Sequence, residues 1–153
     1  MTEIVKEDVP RSPKARRGWA FLLPAALLLI QAGLTLSSLP RNSVTVDEVM
    51  HLPVGMSYWH LGSFWCYHHN PPLMKLAFSL PAVLADVPVE YVNFKYVPGS
   101  RGAEWELGQR FMKLNAARYM RIYVGARAVV VFFALAGGLL VYRWSSELFG
   151  RTG

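Results

Sequence analysis

Residues 19–38 read WAFLLPAALLLIQAGLTLSS, inside a stretch from Gly18 to Leu39 without a charged side chain. As a helix, about twenty such residues rise far enough to cross the roughly 30 Å of hydrocarbon in a bilayer. The run therefore reads as a transmembrane helix, with Trp19 at one interface. Pro24 and Gln31 are tolerable there when neighbouring helices satisfy the groups they free. A secretory signal peptide is the rival reading, but the run exceeds the usual length of about 7–15 apolar residues and no A-x-A-like site follows it.

A second run, YVGARAVVVFFALAGGLLVY at residues 123–142, has a similar length and one charge, Arg127, about a turn from its start. Two readings of Arg127 stand side by side: its guanidinium snorkels to the near interface, or it faces a bundle interior as an anion contact. Ala134, Gly137 and Gly138 form a small-residue patch that lets another helix approach closely.

The rest of the chain agrees with a membrane protein. Of 153 residues 53% are apolar and 17% charged, against roughly 45–50% and about 25% in soluble domains. Two spans leave too little chain for a large soluble core. The net charge is +6, and a polar tail, residues 1–17, carries Lys6, Arg11, Lys14, Arg16 and Arg17 beside Glu3, Glu7 and Asp8. Such a tail answers to anionic lipid headgroups, so nucleic acid is not expected as a partner. Arg143 and Arg151 follow the second run, which places both ends in the cytoplasm and residues 40–122 on the exoplasmic side. Cys66, the single cysteine, has no partner for a disulfide or a zinc motif. The expected organisation is a tail (1–17), a span (18–39), an exoplasmic loop (40–122), a second span (123–142) and a short end (143–153). This describes an all-α membrane protein: two transmembrane helices joined by a long exoplasmic loop with short juxtamembrane helices. It would be integral and multi-pass in the cell (inner) membrane.

A loop of this length is usually functional. Thr45-Val46-Asp47-Glu48 has the form of a capping box, opening a helix that runs to about His60 and stops at Gly62. Pro72 to Leu84 is a second short helix, too apolar for a free surface and too short to span. Between them WCYHHNPP forms a turn. Residues 87–104 read as irregular loop, and Trp105 to about Arg121 as a polar helix leading into the second span. Asp47 and Glu48 are stabilised by the helix dipole, and one of them is also a candidate general base on an acceptor hydroxyl. His51, His60, His68 and His69 all fall in the loop. Asp47 and His51, four residues apart on a helix, are a usable ligand pair, so a divalent metal ion is an open alternative although no HExxH signature is present.

The order of basic tail, membrane helix, VDEVMHLPVGMSYWHLGSF and HHNPPLMKL resembles the start of the GT-C membrane glycosyltransferases, in the protein mannosyltransferase and aminoarabinose transferase-like branch. The residues that carry the resemblance are Asp47, Glu48, His51, Tyr58, Gly62 and Pro71-Pro72-Leu73-Met74-Lys75. WELGQRFMKLN, the Ala126-Arg127 entry to the second span and ELFGR at its exit also look like relatives. Many relatives have Glu-His before the Pro-Pro, where this chain has His69-Asn70. The resemblance implies inverting transfer of a sugar from a polyprenyl-phosphate donor to an exoplasmic acceptor. Asp47 and Glu48 would be its catalytic pair, Asp47 the base. His51, Tyr58, His69, Asn70, Lys75 and Arg127 would be substrate-binding, Lys75 as a phosphate contact. Because relatives have many more membrane helices, the expectation is an N-terminal portion, inactive in isolation, whose donor pocket needs other transmembrane helices. A two-span membrane interaction or assembly protein is the alternative.

Overall fold

The computed structural model of the chain describes residues 16–64, 66–67, 69–91 and 102–150. Most of the basic tail, His68 and Arg151 lie outside them. Among the described residues the protein is all-helical: α1 (Arg16–Ser38), α2 (Val46–Leu61), α3 (Pro72–Leu84), α4 (Ala103–Leu114) and α5 (Tyr119–Phe149).

Two of these helices, α1 and α5, are long and apolar enough to cross a membrane, with mean hydropathies of 1.8 over Phe21–Ser38 and 2.2 over an 18-residue stretch within Tyr119–Phe149. The exposed side chains of α1 include Leu23, Leu29 and Leu34, with Leu29 at 73%. α1 packs against α5, where Phe21 meets Tyr142 edge to face at 6.0 Å. Gly138 lies so close to Leu28 that a Cβ there would stand 2.5 Å from Leu28 Cδ2. Within the small-residue patch, Gly138 thus meets a helix, while a Cβ at Gly137 would have nothing within 4 Å.

α2 is the hub, packed against α3, α4 and α5. Its local signals hold. Thr45 is extended ahead of the helix (φ −78°, ψ 159°), and its backbone N–H donates to Glu48 Oε2 at 2.8 Å. Gly62 ends the helix at φ 61°, a left-handed conformation that costs glycine little. Pro53 lies inside α2 and has no N–H, so the Val49 carbonyl one turn earlier lacks its helical donor. The Tyr123 hydroxyl of α5 donates to that carbonyl at 3.3 Å. A gap in one helix has become a link to another. Around it Leu52, Met56, Phe78, Ala82, Phe111 and Tyr123 form the main buried core.

The structure differs from expectation between α4 and α5. A continuous helix from Trp105 towards Arg121 is broken at residues 115–118, and α5 starts at Tyr119. Asn115 makes the break. It is only 2% exposed, and its Nδ2 donates to the carbonyls of Pro88 at 3.0 Å and Phe111 at 3.1 Å, while its own carbonyl accepts the Arg118 N–H at 2.9 Å. A buried side-chain amide that bonds the preceding turn competes with the continuing helix. The break lets α4 lie on α2, burying Leu107, Gly108 and Phe111. At its other end α5 outruns the apolar stretch and reaches Phe149, with Arg143 and Glu147 paired at 3.0 Å on its surface.

Candidate functional site

The start of α2 carries the adjacent carboxylates, and its capping geometry gives them different fates. Glu48 turns back to the helix end, its Oε2 accepting from both Thr45 N and Thr45 Oγ1. In that position it meets Arg127 of α5, whose Nε donates to Oε1 and Nη2 to Oε2, each at 2.6 Å. The other N–H groups of Arg127 reach the connection between α1 and α2: Nη1 donates to the Leu39 and Asn42 carbonyls at 2.9 and 2.8 Å, and Nη2 to Ser43 at 2.8 Å. A guanidinium has five N–H donors, and here all five are used. Of the two readings of Arg127, the inward one describes this structure: the residue is 8% exposed, and its guanidinium is paired within the protein. Asp47, by contrast, is exposed and makes no hydrogen bond or ion pair among the described residues.

Beside Glu48 lies a cavity of about 430 Å³, bounded by Glu48 and His51 of α2, Asn70 and Pro71 of the turn, Met74, Lys75 and Phe78 of α3, and Val130 of α5. Pro71, Met74, Lys75 and Phe78 are spaced i, i+3, i+4 and i+7, one face of a helix. Met74, Phe78 and Val130 escaped the reading of the sequence, although that spacing is visible in PPLMKLAF.

Lys75 is 3% exposed, and its ammonium is enclosed by neutral acceptors. It donates to the carbonyls of His69 at 2.6 Å, Asn70 at 3.2 Å and Tyr67 at 3.4 Å, and to the Tyr58 hydroxyl at 3.3 Å. It also lies 4.3 Å from the Tyr67 ring centroid. These contacts gather the WCYHHNPP turn onto α3. Asn70 sits at φ 65°, a conformation asparagine tolerates better than most residues. Tyr58 is 4% exposed, and its hydroxyl donates to the Tyr67 carbonyl at 2.7 Å; burial pushes that hydroxyl up to about 12. Tyr58 thus braces the turn from inside, and His69 contributes its backbone carbonyl while its side chain is exposed. The structure gathers Glu48, His51, Asn70 and Lys75 around one cavity and sets Arg127 against Glu48. Asp47, Tyr58 and His69 are not in its wall.

Burial would raise the Glu48 carboxyl, but the Arg127 guanidinium and the Thr45 N–H outweigh it and hold the group below its ordinary 4.5. Burial, and then the nearby Lys75 charge, lower His51 from 6.5 against the pull of Asp47. Lys75 is lowered by burial. His51 is therefore neutral at pH 7, and its Nδ1 is buried without a hydrogen-bond partner among the described residues.

These directions set the acid response. The buried neutral His51 must be protonated less readily than in the unfolded chain, so stability falls as pH drops below about 6.5. Glu48 adds a second loss as pH falls below 4.5 through its lower folded value. Thermal melting in detergent from pH 8 to pH 4 should show both phases, and His51→Gln should abolish the first while keeping the second. A melting temperature flat down to pH 5 in the unmodified protein would contradict the burial of His51.

Among the described residues no three His, Cys, Asp or Glu side chains converge as a metal site. The chain matches no protein-family model, no curated protein and no solved structure. By its own geometry it is, among the described residues, an all-helical protein with two helices long and apolar enough to span a membrane and a largely apolar, partly open cavity edged by Glu48, His51, Asn70 and Lys75 at the start of α2.

Proposed function

We propose that this chain forms the first-loop portion of a multi-pass inner-membrane glycosyltransferase that moves a sugar from a polyprenyl-phosphate donor to an exoplasmic acceptor. Both ends lie in the cytoplasm, and residues 40–122 face the exoplasm. The observation that carries the reading is the division of labour in the carboxylate pair. Glu48 is neutralised by Arg127 and spent on fixing the helix start, which leaves Asp47 rigidly based and uncommitted. In the reaction Asp47 accepts the proton of an acceptor hydroxyl while the hydroxyl oxygen bonds to the anomeric carbon. The bond from that carbon to the phosphate oxygen breaks, and the polyprenyl phosphate leaves with the electron pair. Inversion at the anomeric carbon follows from this single displacement.

In this scheme Lys75 acts through its positive charge, because its N–H groups are engaged by the 67–70 turn and Tyr58. His51, with its free Nδ1, is the better placed hydrogen-bonding group for a ligand in the cavity. Further walls of the donor pocket come from other transmembrane helices laid against the exposed faces of α1 and α5. The second reading, a two-span assembly protein, is favoured by Gly137, where the α5 backbone is open to a close helical partner.

Asp47→Asn decides between them. In membranes holding the protein with its natural partner helices, transfer of labelled sugar from the lipid-linked donor should fall about 100-fold or more, the scale of losing a general base. Unchanged transfer at equal protein level would return Asp47 to the role of a helix-end charge.

A further inference from the structure

A second cavity, of about 440 Å³, lies further along α3 and shares no residue with the first. Its α3 side is built from Pro81 and Ala82, with Val87 just beyond the helix, and its α5 side from Arg118, Arg121 and Ile122. Arg118, the cap of α5 (φ −138°, ψ 2°), and Arg121 in its first turn both line this one cavity. Both are exposed, and among the described residues neither is in an ion pair. Arg118 donates only a long bond, Nε to Asn115 Oδ1 at 3.4 Å. Two guanidinium groups lining one cavity, with no ion pair among the described residues, repel one another, and an anion between them removes that cost. Guanidinium forks match phosphate oxygens in geometry as well as charge.

The remaining wall is apolar, which a free phosphate would not use. The cavity also sits where α5 begins its apolar run: Arg121 precedes Tyr123 by two residues, and Arg127 lies about 9 Å further along the helix at 1.5 Å per residue. If α5 crosses a membrane, this end of its apolar run lies towards the headgroup region. We propose that this cavity binds an anionic phospholipid, with Arg118 and Arg121 holding its phosphate and Pro81, Ala82, Val87 and Ile122 receiving the first part of its acyl chains. This inference does not depend on the transferase reading.

The test uses the full chain in nanodiscs of equal parts phosphatidylcholine and phosphatidylglycerol with identical acyl chains, followed by native mass spectrometry of the released protein. Phosphatidylglycerol should be retained over phosphatidylcholine by about tenfold, a range open to charge-assisted hydrogen bonds. Arg118→Gln/Arg121→Gln should erase the preference, and Arg143→Gln, near the other end of α5, should keep it. Should the double glutamine variant fail to insert, Arg118→Lys/Arg121→Lys retains the charge without the fork and should weaken retention. Equal retention of both lipids by the unmodified protein, or undiminished preference in the double variant, overturns the proposal. Displacement of the retained lipid by inorganic phosphate alone overturns its lipid half.

Discussion

Arg127→Gln should destabilise the folded chain by about 3–5 kcal/mol, the usual cost of removing one partner from a buried ion pair. The Arg127 and Glu48 side chains are 10% and 20% exposed, so water screens them little. Truncation strands more than the Glu48 carboxylate, because the carbonyls of Leu39, Asn42 and Ser43 lose their donors in the same step. An unsatisfied buried acceptor is itself costly. Arg127→Gln/Glu48→Gln should recover part of the loss, since the isolated charge is its largest component. Arg127→Lys should behave more like the glutamine variant than like the unmodified protein, because an ammonium cannot occupy both carboxylate oxygens as a fork. Denaturant unfolding in micelles, followed by tryptophan fluorescence, measures each step. A cost below about 1 kcal/mol for Arg127→Gln would place the pair among exposed salt bridges.

Gly55→Ala should be the most damaging small substitution in the chain, at about 3 kcal/mol, the upper part of the range for overpacking. A Cβ at residue 55 would collide with the backbone carbonyl of Lys75 and stand 2.7 Å from Ser79 Oγ and 2.8 Å from Ser79 Cβ. The nearest of these is main chain, which cannot rotate away, so α2 and α3 must separate. That movement would open the first cavity and loosen the Lys75 contacts. Gly137→Ala supplies the contrast. It meets nothing within 4 Å, and inside a helix alanine is favoured over glycine by up to about 1 kcal/mol. Equal melting temperatures for the two variants would show that the α2–α3 approach is softer than its geometry.

What could be read from the sequence was local. Thr45 through Glu48 and Gly62 mark the ends of α2 by chemistry within a few residues, and the proline pair at 71–72 opens α3. The break at Asn115 was hidden because its driving contact, the Pro88 carbonyl, is 27 residues away. Arg127 was ambiguous for the same reason. Its place one turn from the end of an apolar run allowed both snorkelling and burial, and its partner 79 residues earlier distinguishes them. At Lys75 the charge was evident, but the enclosure of its ammonium by the turn is a property of the folded backbone. The Arg118–Arg121 pair is not marked in the sequence, because the cavity that both line depends on Pro81, Ala82 and Val87, more than 30 residues earlier.

The long reach of Arg127 also orders events in time. Glu48 is synthesised 79 residues before the guanidinium that neutralises it, an interval of roughly 4–16 s at translation rates of about 5–20 residues per second. Through that interval the start of α2 carries two uncompensated carboxylates, and the chain between α1 and α2 has nothing to hold its carbonyls. Docking of this region therefore waits for α5 to emerge, which makes the second apolar helix the closing step in assembly of the site.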